Sequence, residues 1–173
     1  MKIIAHLQDN QYPFSYIDHI RTIARGVVIN DKNQVALIKL HGFDSFGDRN
    51  YYELPGGGVK ENEKISDAFM REIREELGFE VTILDEIGQV RDFYNLIHRE
   101  NHNYYFLGKA NRYVGVQLDE YEKTMFEKAL WLSIDDAIKC FQEMHDDGVS
   151  GLVKSRELPI LLMAKKWMGS HSL

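Results

Sequence analysis

Residues 56–79, GGGVKENEKISDAFMREIREELGF, decide how the rest of the chain is read. Three consecutive glycines follow Leu54-Pro55 as a turn, and a segment with helical spacing follows them. Around an ideal helix, Glu72, Glu75 and Glu76 fall within an arc of roughly 100°. Phe69, Met70, Ile73 and Leu77 fill the adjacent arc, and Arg71 and Arg74 are expected on the far side. The spacing therefore predicts one helix with an apolar stripe to bury beside a crowded row of carboxylates. Ser66 is expected to cap it, with Asp67 in the first turn, an Ile65–Met70 apolar staple and Gly78 in the left-handed C-terminal position.

Upstream, residues 2–7 read as an edge strand, residues 11–15 as a loop, and residues 1–20 together as an N-terminal extension. The apolar run 26–29, the turn residues 30–33 and the run 34–40 predict a hairpin. Residues 41–49 are polar and glycine-punctuated, an exposed loop, and residues 50–54 are a strand leading into the glycines. Downstream, 79–83 and 87–94 read as strands broken near Asp85-Glu86, 99–102 as a polar turn and 103–109 as an aromatic strand. Residues 112–127 read as loop and 129–132 as a last strand. Ser133 caps a helix carrying Ile134, Ala137, Ile138 and Phe141. A final helix is expected to begin near Pro159 and to bury Leu161, Leu162 and Trp167. No repeat or linker interrupts this pattern, so one domain over residues 1–173 is expected.

The chain has 173 residues, 44% of them hydrophobic, enough to bury a core. It has no apolar run of membrane-spanning length, and Asp9 arrives before any leader-like segment develops. Its net charge of −6 argues against binding a nucleic-acid polymer, which needs a basic face. The single cysteine, Cys140, fits a reducing compartment, and a cytoplasmic protein is expected. An anionic small molecule can still be bound if a cation mediates the contact.

Crowded glutamates repel, at a cost of a few tenths of a kcal/mol for each i,i+4 like-charge pair. A solvated face relieved by Arg71 and Arg74 is one answer. Divalent cations are the other, since Mg²⁺ and Mn²⁺ prefer hard oxygen ligands and are often held by one or two carboxylates plus substrate phosphates. The adjoining glycines allow the backbone to approach a metal or phosphate oxygen closely.

Gly57, five residues, Glu63, seven residues, then Arg71-Glu72-Ile73-Arg74-Glu75-Glu76-Leu77-Gly78-Phe79 resemble the Nudix box at all seven fixed residues and at the apolar positions Ile73 and Phe79. The resemblance implies a Nudix-type α/β/α sandwich around a mixed β-sheet, with the box forming a loop–helix–loop. It also implies a Mg²⁺- or Mn²⁺-dependent hydrolase that cleaves a pyrophosphate bond in a nucleoside diphosphate derivative. Carried over by position, Glu72, Glu75, Glu76 and the Gly56 carbonyl are expected as metal ligands. Glu72, Glu75 and Arg71 are the expected catalytic residues, with Arg71 orienting a glutamate and Glu63 supporting the loop. A general base would come from the box or from Glu120, Glu122 or Glu127. Two departures stand out: Lys60 replaces a common acidic residue, and Asn62 a common glycine whose left-handed turn asparagine tolerates.

Substrate choice lies outside the box. Arg25 and the aromatics Tyr51, Tyr52, Phe93, Tyr94, Tyr104 and Phe106 are candidates to bracket a base. The downstream proline of ADP-ribose hydrolases is missing, since no proline falls between Pro55 and Pro159. Tyr94, fifteen residues past Phe79, resembles a marker of the dinucleoside-polyphosphate group. A (d)NTP or modified nucleotide is the expected substrate. A dinucleoside polyphosphate, a nucleotide sugar, or a non-catalytic nucleotide sensor are the alternatives. The expected partner is thus a small molecule, with no nucleic-acid polymer and no membrane; a homodimer is left open.

Overall fold

The computed structural model describes residues 1–118 and 122–171. Along the chain run β1 (Ile3–Gln8), β2 (His19–Ile29), β3 (Val35–Leu40), a short pair β4 (Phe43–Asp44) and β5 (Gly47–Asp48), β6 (Tyr52–Glu53) and β7 (Gly56–Gly58). Then come α1 (Ile65–Leu77), β8 (Phe79–Tyr94), β9 (Arg99–Tyr113), α2 (Glu122–Met125), β10 (Phe126–Leu132), α3 (Ile134–Gln142) and α4 (Gly148–Ser170). The order β1-β8-β9-β2-β3-β10 builds the large mixed sheet that was expected, with β1 at one edge. The pairs β1/β8 and β2/β9 are parallel, while β8/β9, β2/β3 and β3/β10 are antiparallel.

Strand alternation sends two apolar sets to opposite faces. Ala24, Val28 and Phe106 meet Ala68, Phe69, Ile73 and Leu77 of α1. Val27, Ile29, Tyr105 and Leu107 meet Ala137, Phe141, Leu152, Val153, Ile160 and Leu161 of α3 and α4. Phe69 stacks on Phe106 with ring centroids 5.1 Å apart. Burying such a ring contributes about 1.5–3 kcal/mol. The stripe is narrower than expected, because Met70 is 37% exposed.

The β2–β3 turn follows the sequence: Asn30 Oδ1 accepts from the N–H groups of Lys32 and Gln34 at 2.9 and 3.0 Å. The two strands then splay, pairing only at Ile29 and Val35. Into that gap β7 joins residues 23–25 of β2, and β6 joins Ile38 and Lys39 of β3. The glycines expected as a turn are therefore a strand. A Cβ on Gly56 would stand 2.2 Å from the Ala24 carbonyl oxygen, and its φ of +134° suits glycine alone.

Other expectations change for identifiable reasons. Lys64, not Ser66, precedes α1 and offers no side-chain cap. The loop before it is closed by Glu63–Lys60 bonds, so the helix starts at Ile65, one residue before Ser66. With Ile65 as the first helical residue, the Ile65–Met70 staple does not form. Gly78 is left-handed as expected, at φ +73°. The break near Asp85-Glu86 is absent; β8 runs through, absorbing irregularities between Ile83 and Asp85 and between Glu86 and Gly88. Residues 99–102 are strand rather than turn, because the chain reverses earlier, at Asn95–Ile97 with His98 left-handed. Residues 41–49 carry the β4–β5 hairpin. Within the segment expected as loop, α2 forms and β10 begins at Phe126. Ser133 caps α3, accepting from the Asp136 N–H at 3.1 Å. Pro159 lies inside α4, which starts at Gly148, as Val149, Leu152 and Val153 already bury the helix there. Leu161 is buried and Trp167 partly so, but Leu162 is half exposed. Among the described residues no helix is long and apolar enough to cross a membrane.

Candidate functional site

The box residues come together where β7 meets α1. Arg71 is the hub, and it does not lie opposite the glutamates. It is four residues, one turn, before Glu75, and its long side chain reaches both neighbours. Nη1 donates to Glu72 Oε1 at 2.7 Å and Glu75 Oε2 at 2.9 Å. Nε and Nη2 grip both oxygens of Glu63 at 2.8 and 2.9 Å, and Nη2 also donates to the Gly58 carbonyl at 2.9 Å. One guanidinium thus clamps the loop, the glycine strand and two helix carboxylates. Arg74, in contrast, is exposed. Glu63 also accepts from the Lys60 N–H at 2.9 Å, and Asn62 takes the left-handed conformation at φ +60°.

The hydrogen bonds from Arg71 hold the Glu63 carboxyl down at about 2. Its ordinary value is roughly 4.3, so the contribution of this pair to stability is complete above that pH and is lost as pH falls through the folded value. Carboxyl NMR should show a Glu63 midpoint near 2 in the wild type. In Arg71→Gln the midpoint should return toward ~4.3.

Glu72 is buried, its carboxylate packed against Gly57, where a Cβ would stand 2.5 Å from Oε2. Glu76 accepts the Gly56 N–H at 2.7 Å. Glu75 is partly exposed beside Arg71. Among the described residues no three His, Cys, Asp or Glu side chains already stand close enough to share a metal ion. The carboxylates are divided between Arg71 and the Gly56 N–H. A closed three-carboxylate cage is not what Mg²⁺ requires, since it keeps waters and takes substrate oxygens. The donor set, all hard oxygens around a glycine strand without side chains, fits such an ion.

Of the expected outside bases, Glu120 lies outside the described residues, and of Glu122 only the backbone is described. Glu127 is exposed and pairs with Lys128 at 3.4 Å.

From Gly56, Gly57 and Glu76 a cleft of about 440 Å³ opens across the sheet face toward Tyr94, Arg99 and Asn101. Arg25 lines it, as do Arg21, Arg49, Arg99 and Arg156, which the sequence reading did not single out. The alternation Arg21-Thr22-Ile23-Ala24-Arg25 carries the strand period that puts Arg21, Ile23 and Arg25 on one face, because β2 begins at His19, upstream of the apolar run 26–29. Of the six aromatic candidates only Tyr94 reaches this cleft. Tyr51 and Phe106 are core, and Phe93 packs edge-on against Phe14.

Beneath the cleft lies a buried charge network. Arg156 donates to Asp92 and Glu157, both at 2.8 Å, and Glu157 accepts the Leu54 N–H at 2.6 Å. Arg25 donates to Glu53 at 2.8 Å and to the Leu54 carbonyl at 3.0 Å. Burial lifts the Glu157 carboxyl above the usual range against the pull of Arg156 and Arg25. For Glu53, burial pushes the same way, but Arg25, Arg156 and Arg49 outweigh it and hold the carboxyl low. The strand leading into the glycines is thereby tied to α4.

A family model described as the NUDIX domain matches residues 20–152. No curated protein matches the sequence. Among solved structures, the fold is similar to a NUDIX hydrolase from Nitrosomonas europaea, with a TM-score of 0.62 at 18% identity, over 87% of this chain and 89% of that one. A MutT protein from Methanosarcina mazei Go1 gives 0.58 at 18% identity, over 84% and 96%. An Ap4A hydrolase from C. elegans gives 0.58 at 18% identity, over 86% and 99%.

Proposed function

The chain belongs to the Nudix hydrolase family, and from that premise we propose that it cleaves the pyrophosphate bond of a nucleoside diphosphate derivative, a (d)NTP or a modified nucleotide. One observation carries the reading: Glu76 and the glycine strand form the acidic end of a cleft whose remaining wall is rich in arginine. Such a cleft suits an anionic chain bound with a divalent cation at one end and guanidinium groups along its length.

Glu72, Glu75, Glu76 and the Gly56 carbonyl are the groups that would hold Mg²⁺ or Mn²⁺, which when bound neutralises phosphoryl oxygens and lowers the pKa of a water. The chain's own residues do the positioning. Arg71 fixes Glu72 and Glu75 relative to the loop, and Glu76 fixes Gly56 beside the cleft. Water attacks phosphorus, the anhydride P–O bond breaks to the leaving phosphate, and the water proton passes to a carboxylate such as Glu75. Preorganised charge of this kind supplies most of the acceleration in phosphoryl transfer. We also place the activity in a single domain and in a reducing compartment such as the cytoplasm, which suits the lone Cys140.

The test is a panel of (d)NTPs, dinucleoside polyphosphates and nucleotide sugars, assayed with Mg²⁺, with Mn²⁺ and in EDTA. At least one should turn over only with a divalent ion. Glu75→Gln should lower kcat/KM by about 100-fold, equivalent to ~2.7 kcal/mol. Silence across the panel, or a variant as active as wild type, would count against the hydrolase reading or its site.

A further inference from the structure

Five arginines reach the cleft wall, and three are already neutralised. Arg25 is held by Glu53, Arg49 by Asp44, and Arg156 by Asp92 and Glu157. Arg21 and Arg99 differ. Among the described residues neither forms an ion pair with a carboxylate within 4 Å, although Arg21 feels Glu72 and Glu53 and Arg99 feels Asp92 at longer range, and Arg99 Nε is buried without any hydrogen bond. On the parallel β2/β9 pair, Arg21 sits opposite Asn101 and His19 opposite Arg99, so the two arginines are diagonal neighbours on the cleft face. Arg99 lies over the Tyr94 ring, 5.2 Å from its centroid. Partial burial and then the charge of Arg21 both push the Arg99 guanidinium below its usual range, a repulsion that a bound anion would relieve. Arg21 Nη2 lies 3.2 Å from where a Gly58 Cβ would stand, so the pair begins beside the glycine strand and extends away from it. Asn101 is buried, its Oδ1 without a partner, an acceptor left for a ligand hydroxyl.

We propose that Arg21 and Arg99 form a subsite for a third phosphate of the substrate, separate from the Glu76 end of the cleft. Two guanidinium forks match the charge and the several oxygens of a terminal phosphate, which carries about −1.5 to −2. This rests on the hydrolase reading above for the identity of the substrate as a diphosphate. It narrows the class to nucleoside triphosphates and dinucleoside polyphosphates, and disfavours nucleotide sugars.

The subsite is tested without metal. Calorimetric titration of the wild-type protein in EDTA should show ATP binding at least ~10-fold tighter than ADP. That advantage should shrink to about twofold in Arg21→Gln and in Arg99→Gln, and return in part in Arg99→Lys, which keeps the charge but loses the fork. Equal binding of ATP and ADP by the wild type, or an ATP advantage that survives both glutamine variants, overturns the subsite. Hydrolysis is a separate arm: with Mg²⁺, Arg99→Gln should reduce the kcat/KM ratio of ATP over ADP-ribose by about tenfold, through KM. An unchanged ratio removes the assignment to a third phosphate. If nothing is hydrolysed, the hydrolase reading fails while the binding arm still decides the subsite.

Discussion

Glu76→Gln is expected to lower kcat/KM by about 10³-fold, or ~4 kcal/mol of transition-state stabilisation, while leaving the fold intact. The argument is geometric. Glu76 is the box glutamate on the cleft wall, and its Oε2 accepts the Gly56 N–H at 2.7 Å. A glutamine can still accept that bond through its amide oxygen, so the glycine strand stays in place. What it removes is the negative charge, the property a divalent cation needs. Two measurements separate the roles. Stabilisation by added Mg²⁺, which follows ligand binding to the native state, should be present in the wild type and absent in the variant. The melting temperature in EDTA should be the same for both. Full activity in Glu76→Gln would move the metal away from this carboxylate, and a large loss of stability in EDTA would make its role structural.

Arg156→Met should cost about 3–5 kcal/mol, because it leaves Asp92 buried without its cation and Glu157 with only the more distant Arg25, 3.9 Å away. In a chain of this size that corresponds to a fall in Tm of roughly 6–20 °C. Arg156 is 1% exposed and holds both carboxylates at 2.8 Å. Pairing it with Asp92→Asn should cost less than the sum of the single changes, since the neutral amide no longer needs a counter-charge. Asn103 donates to Asp92 Oδ1 at 2.9 Å and can donate equally to the new amide oxygen. Additive effects would mean that the two side chains do not act as one network. Because Glu157 also holds the Leu54 N–H, activity should fall before the protein unfolds, as the strand leading to Gly56 loosens.

The helix that carries the glutamates was legible because its determinants are local. Apolar spacing and the left-handed Gly78 lie within a few turns, whereas the reach of Arg71 to Glu75 one turn on escapes the sequence reading, which puts Arg71 on the far side. The same locality explains the misplaced start. Ser66 is a good cap in isolation, but Glu63 is held by Arg71 from eight residues away, and that closure sets where the helix begins. Pro159 misled for a related reason: burial of Val149, Leu152 and Val153 extends α4 well upstream of a residue that usually marks a first turn.

The sequence by itself determined the family, the acidic helix and the glycines beside it, since each is written in consecutive residues. Only the tertiary structure decided that those glycines form a strand, because their conformation depends on the backbone of β2, some thirty residues earlier. Only it assembled the arginine wall as well. Arg21 and Arg99 meet through a parallel pairing of strands far apart in the chain, whose register no nearby turn fixes. A short-range pattern can therefore announce the acidic end of the cleft, whereas the basic end exists only once the sheet has closed its non-local pairs.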